Sequence, residues 1–173
     1  MRRLMLTLLA SLIVVPAAYA AAGAHGDGVF ELKAVYGTVQ IGTNALPARG
    51  VLWGQMDKGV LRVIDPVAGD GSILVSGWEK PPTYGVNADG LKVTIYSGRD
   101  LHFRVTGGKY KLVFNGSGID LTAVGVGVAY LDGDDLAIDP GYYAVNSGGW
   151  TPMPTPVTKP VAIPFNDQSA QTP

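Results

Sequence analysis

From residue 28 onward, apolar and polar residues alternate in runs of five to nine, each run broken by glycine, proline, asparagine or aspartate. That rhythm puts side chains of one character on one face of an extended chain, which is the pattern of half-buried strands. The alternation predicts strands at 29–36, 38–41, 50–56, 59–65, 73–78, 91–97, 101–106, 109–115, 121–131 and 142–146. After the first twenty residues no stretch keeps an apolar 3.6-residue period for three turns, so helices are not expected. The 24 glycines fit the same reading, because glycine weakens helices and serves tight turns and bulges. The expected architecture is all-β: an antiparallel β-sandwich, or a partly closed barrel.

The chain opens with Met1-Arg2-Arg3, an apolar run from Leu4 to Val15, Pro16, and the small residues Ala18 and Ala20 around Tyr19. A basic start, a short apolar core and a small-residue cleavage site make up a secretory signal peptide, and the apolar run is too short for a stable membrane span. Cleavage is expected between Ala20 and Ala21. The paired arginines fit a twin-arginine signal, although paired basic residues are common at the start of any signal peptide. The organisation expected is a leader at 1–20, a single β domain at 21–150 and a proline-rich extended tail at 151–173. Phe165 has a side chain that could dock onto the domain.

Lys plus Arg number 13 and Asp plus Glu 14; without Arg2 and Arg3 the mature chain is acidic by three charges. That balance does not suggest a nucleic-acid binder. There is no cysteine. Folding must therefore come from packing rather than disulfides, and an anchor on an N-terminal cysteine is excluded. Oligomeric state is not legible.

One pairing has a specific register. Leu101 to Thr106, then Gly107-Gly108, then Lys109 to Phe114 reads as a hairpin on a two-residue turn. It would pair Val105 with Tyr110, Phe103 with Leu112 and Leu101 with Phe114, all apolar and on one face. The opposite face would gather Arg104, Lys111, Lys109 and His102 into a cationic patch suited to an anionic polymer of the cell envelope.

The run from Tyr96-Ser97-Gly98-Arg99-Asp100-Leu101-His102-Phe103-Arg104-Val105 through Gly107-Gly108 to Asn115-Gly116-Ser117-Gly118-Ile119-Asp120-Leu121-Thr122-Ala123-Val124-Gly125 resembles small exported all-β proteins of actinobacteria that have no assigned activity. The resemblance covers 96–125 and rests on turn glycines and alternating apolar positions. It implies a β fold outside the cytoplasm and brings no catalytic residue with it.

Chemistry-bearing motifs are few. His25 and His102 are the only histidines, so no metal site built on histidine and cysteine is expected, and no cofactor motif is present. Asp132-Gly133-Asp134-Asp135 with Asp139 offers oxygen ligands for calcium, but Ala137 and Tyr143 stand where an EF-hand needs glycine and glutamate. A turn is the simpler reading. Ser117 between glycines is no nucleophile elbow, and His102, its only available base, shows no orienting carboxylate. Asp120, Asp100, Glu79 and Glu31 are the carboxylates on which a glycoside hydrolase would depend. A non-enzymatic role is the expectation.

Binding is the better-supported class. Trp78-Glu79-Lys80-Pro81-Pro82-Thr83-Tyr84 sets two aromatics around a proline-stiffened loop, and Trp53, Trp150, Tyr142 and Tyr143 add to a sugar-stacking platform. The plainer expectation is that Trp53 and Trp78 plug the ends of the core. The sequence thus points to an exported, non-catalytic binding or structural module at the cell envelope, with glycan binding the first alternative and a carboxylate-dependent hydrolase the second.

Overall fold

The computed structural model describes residues 27–134, 139–155 and 159–165. The Ala20 to Ala21 cleavage site, His25 and Asp135 lie outside them. Every regular element among the described residues is a strand: β1 (Gly28–Ile41), β2 (Ala48–Ile64), β3 (Ser72–Trp78), β4 (Thr83–Val86), β5 (Lys92–Val126), β6 (Val128–Gly133), β7 (Gly141–Val145), β8 (Thr151–Pro152) and β9 (Val161–Pro164). All nine join one hydrogen-bonded sheet in the order β2-β5-β1-β6-β9, with β3 and β4 on β5, β7 on β1 and β8 on β7. That order does not return to its start. The all-β class read from alternation is what the structure shows.

The long strand β5 is two lanes of the sheet. Nearly every residue of β2 lies between two β5 residues: Gly54 between Phe103 and Leu121, Leu52 between Val105 and Ala123, Met56 between Leu101 and Ile119. Partner numbers fall as β2 numbers rise, so both lanes run antiparallel to β2. Tyr110 pairs with Ala48, and the next residue, Lys111, pairs with Ile64 at the other end of β2. Adjacent residues cannot touch both ends of a straight strand of 17 residues. The strand therefore curls, and β5 winds around with it to come back on the other side of β2.

Curling needs a place where every lane bends together. Gly133, Gly37, Gly116, Gly59 and Gly98 are cross-strand neighbours in a single row. A Cβ on Gly59 would lie 2.3 Å from the Asn115 carbonyl oxygen, and one on Gly116 would lie 2.1 Å from that of Lys58. The lanes approach too closely there for side chains. Beside this row the inward face changes parity: Phe30, Leu32 and Ala34 give way to Val39 and Ile41 on β1, and Leu52 and Met56 to Leu61 and Val63 on β2. Along β5, Tyr110, Leu112 and Phe114 give way to Ile119, Leu121 and Ala123. An irregularity of one residue per lane flips the buried face, so the row is a crease with core residues packed on both sides of it.

The hairpin expected at Gly107-Gly108 does not form. Both glycines have positive φ, 75° and 78°, yet the chain runs on along β2, with Thr106 opposite Val51, Lys109 opposite Arg49 and Tyr110 opposite Ala48. Three residues of β5 span two of β2, which is a bulge. The Lys109 amide donates to Asp70 Oδ2 (3.0 Å) across it. The predicted apolar face is nonetheless right, since Leu101, Phe103, Val105, Tyr110, Leu112 and Phe114 are all buried. Phe103 and Phe114 meet through the core, ring centres 4.7 Å apart, rather than along a hairpin.

The segment expected as a tail contributes to the sheet. β8 pairs with β7 and β9 with β6. Met153 and Phe165 are buried, and the Phe165 ring lies 5.7 Å from that of Phe30.

Candidate functional site

Before the crease, residues at alternate positions of each lane face outward in register. One row runs Tyr142, Lys33, Asp120, Gln55, His102, Ser76, and the next runs Glu31, Thr122, Trp53, Arg104, Leu74. The inward positions between and beside them, Leu32, Leu121, Leu52, Phe103 and Val105, form the core, so period two forces these polar and aromatic groups to solvent. Trp53 is 44% exposed.

The two rows line a chain of depressions. The central one, about 450 Å³, is bounded by Trp53, Gln55, His102, Arg104, Asp120 and Thr122, with Gly54 in its floor. A neighbour of about 530 Å³ shares Gln55 and Asp120 and reaches Lys33, Asp57 and Ser117. On the other side, a depression of about 400 Å³ shares His102 and Arg104 and reaches Leu74 and Ser76. Together they cross five lanes, on the order of 20 Å at the usual interstrand spacing.

The charges along this groove are mostly spoken for. Lys33 Nζ lies 3.5 Å from Asp120 Oδ2, and His102 Nε2 lies 3.2 Å from Asp100 Oδ1. The carboxylate that the sequence did not supply to His102 is thus present, two residues back, on an Asp100 whose φ is +59°. Arg104, opposite Trp53, has no ion-pair or hydrogen-bond partner among the described residues.

Of the six residues predicted to bind, the structure brings two into the groove, Arg104 and His102. Lys111 pairs with Ile64, whereas Arg104 pairs with Trp53 and Leu74, so the expected Arg104 and Lys111 juxtaposition is not formed. Lys109 sits with Asp27, Arg49 and Asp70 in a separate hollow. Trp78 closes β3 opposite Gly98, and Tyr84 stands 76% exposed on β4 opposite Thr94. Neither lines the groove. The expected tryptophan plugs are corrected as well: Trp53 and Trp78 are both exposed, and phenylalanines, leucines and Tyr110 fill the core. Gln55 and Thr122 were missed as site residues; Trp53 was among the sugar-stacking candidates, but core plugging was the preferred reading although its parity opposite to Leu52 and Met56 places it outside.

The serine reading finds no support in the pairing. Ser117 lies opposite Tyr36 and Lys58, and His102 opposite Gln55 and Ser76. Glu79 lies 3.6 Å from Arg99, so Glu79, Asp100 and Asp120 each face a basic group rather than one another. Among the described residues no group of three His, Cys, Asp or Glu is placed to hold a metal. Asp139 Oδ1 accepts from the Gly141 amide at 3.0 Å, as a turn residue does. No helix among the described residues is long and apolar enough to cross a membrane.

Comparison with family models, with curated proteins and with solved structures finds no match to the chain.

Proposed function

We propose that the protein is an exported, non-catalytic binding module of the cell envelope that holds an extended polysaccharide across its outer face. The leader and the resemblance over 96–125 support export. The winding of β5 about β2 supports a coiled, partly closed barrel as the finer architecture. The observation that carries the function is the chain of three open depressions across five lanes with an exposed indole lining the central one. Apolar faces of sugar rings stack on indoles, while Gln55, Thr122, His102 and Asp120 offer hydrogen-bonding groups to ring hydroxyls. A shallow, open site built on strands suits a polymer that passes through better than a small molecule that must be enclosed.

Affinity electrophoresis of the mature protein through gels containing purified envelope polysaccharide tests the proposal. Wild type should be retarded, and Trp53→Ala should weaken binding by about tenfold. The melting temperature should hold, because Trp53 fills no core space. Equal retardation of wild type and Trp53→Ala, or no retardation of wild type by any envelope fraction, overturns the reading.

A further inference from the structure

We infer that the groove selects acidic sugars, taking the carboxylate of a uronic-acid unit on Arg104 while the same ring stacks on Trp53. The inference rests on the polysaccharide reading. Across the groove, Lys33 is matched by Asp120 and His102 by Asp100, which leaves the Arg104 guanidinium as the groove's basic group without a partner among the described residues. Glu31 is in the same row but two lanes beyond Trp53, with Thr122 between them. One free cation at the centre calls for one monovalent anion. A second negative charge would face Asp120 in the neighbouring row and Asp100 beside His102.

Position distinguishes a carboxylate from other anions. Trp53 and Arg104 are direct cross-strand partners, so their Cβ atoms lie about 5 Å apart. A uronic carboxylate is bonded directly to the ring, and when the ring covers the indole its edge reaches the adjacent guanidinium. A planar carboxylate then accepts two parallel N–H bonds from the fork of the arginine. A phosphodiester lies in the linkage between units, beyond the stacked ring. A neutral polymer would leave Arg104 in water.

The test uses polygalacturonate and its fully methyl-esterified form, which share a ring and differ in charge. At low salt, wild type should bind the acid form about tenfold tighter than the ester, the worth of one charge-assisted pair. Arg104→Gln should remove that preference and keep binding to the ester, while Trp53→Ala should weaken both. Lys109→Gln, outside the groove, should leave the preference intact. Equal binding of the two polymers by wild type overturns the acidic selectivity and leaves the polysaccharide reading standing. A preference that survives Arg104→Gln, or falls equally in Lys109→Gln, also overturns it, since bulk charge would then be responsible. If wild type binds neither polymer the selectivity fails, and the envelope-fraction gels alone decide the broader reading.

Discussion

The crease and the C-terminal segment solve opposite problems. At the crease, five lanes bend together because Gly133, Gly37, Gly116, Gly59 and Gly98 present no side chains where the backbones close on one another. At the C-terminus, a proline-rich stretch with little alternation is held because two large side chains, Met153 and Phe165, are sunk into the core. In the first region shape comes from what is missing, and in the second from what is inserted. The first cannot be adjusted by rearranging a side chain, because the obstacle is main chain. The second can lose its anchor and leave the sheet beneath it intact.

Valine at Gly59 should break the molecule most completely. Its Cβ would press on the Asn115 carbonyl at 2.3 Å, and its φ of +153° is one that a β-branched residue avoids. Gly59→Val is expected to cost more than about 4 kcal/mol and to yield little folded protein. Gly85→Ala on β4, where an added Cβ meets nothing within 4 Å, is the matched control and should stay within about 0.5 kcal/mol of wild type. Urea midpoints of the pair decide the matter: two equally mild variants would mean that the crease tolerates side chains.

Removing the anchor should be costly but local. Phe165→Ala takes a fully buried ring from against Phe30, a loss of about 3–5 kcal/mol. Amide exchange should then show β9 and its partner β6 opening first, while β2 and β5 keep their protection. Simultaneous loss of protection everywhere would show that the segment is integral to the curled sheet and that the two regions are not separable.

The same contrast explains what the sequence made legible. Alternation identified the inward residues of 101–114 correctly, because parity is a local property of the chain. The pairing was not legible. Gly107-Gly108 carries positive φ at both positions, as a two-residue hairpin turn does, but the same dihedrals serve a bulge, and choosing between them depends on β2, far earlier in the chain around Gly50. Of the crease glycines, Gly37, Gly98, Gly116 and Gly133 fall outside the strands the alternation predicts, and Gly59 opens one of them. Only the register shows that they form one row. The aromatic site was only half legible: Trp53 stood among the sugar-stacking candidates, but tryptophan is apolar enough to be assigned to the core, and its opposite parity to Leu52 was outweighed by that composition argument. Arg104 and His102 were found as surface cations, but their true neighbours, Trp53 and Gln55, come from another strand.

Tyr110 tests whether the closing point of the curl depends on shape alone. It is fully buried, opposite Ala48 and next to Lys111, where the two ends of β2 converge. Its hydroxyl has no hydrogen-bond partner among the described residues, and burial pushes the phenol well above its ordinary range. An unpaired buried hydroxyl costs about 1–3 kcal/mol of desolvation, so Tyr110→Phe, which keeps the ring, should leave stability at pH 7 unchanged or raise it by about 1 kcal/mol. A raised folded-state pKa favours the protonated, folded form. That contribution is complete below the unfolded value near pH 10 and is lost as pH rises above it, when the unfolded chain alone can ionise. Tyr110→Phe should therefore flatten part of the alkaline fall in stability, seen in urea midpoints taken at pH 7 and again above pH 10. If the variant is instead less stable than wild type at pH 7, the hydroxyl has a partner and polar contact, not shape alone, holds the ends of β2 together.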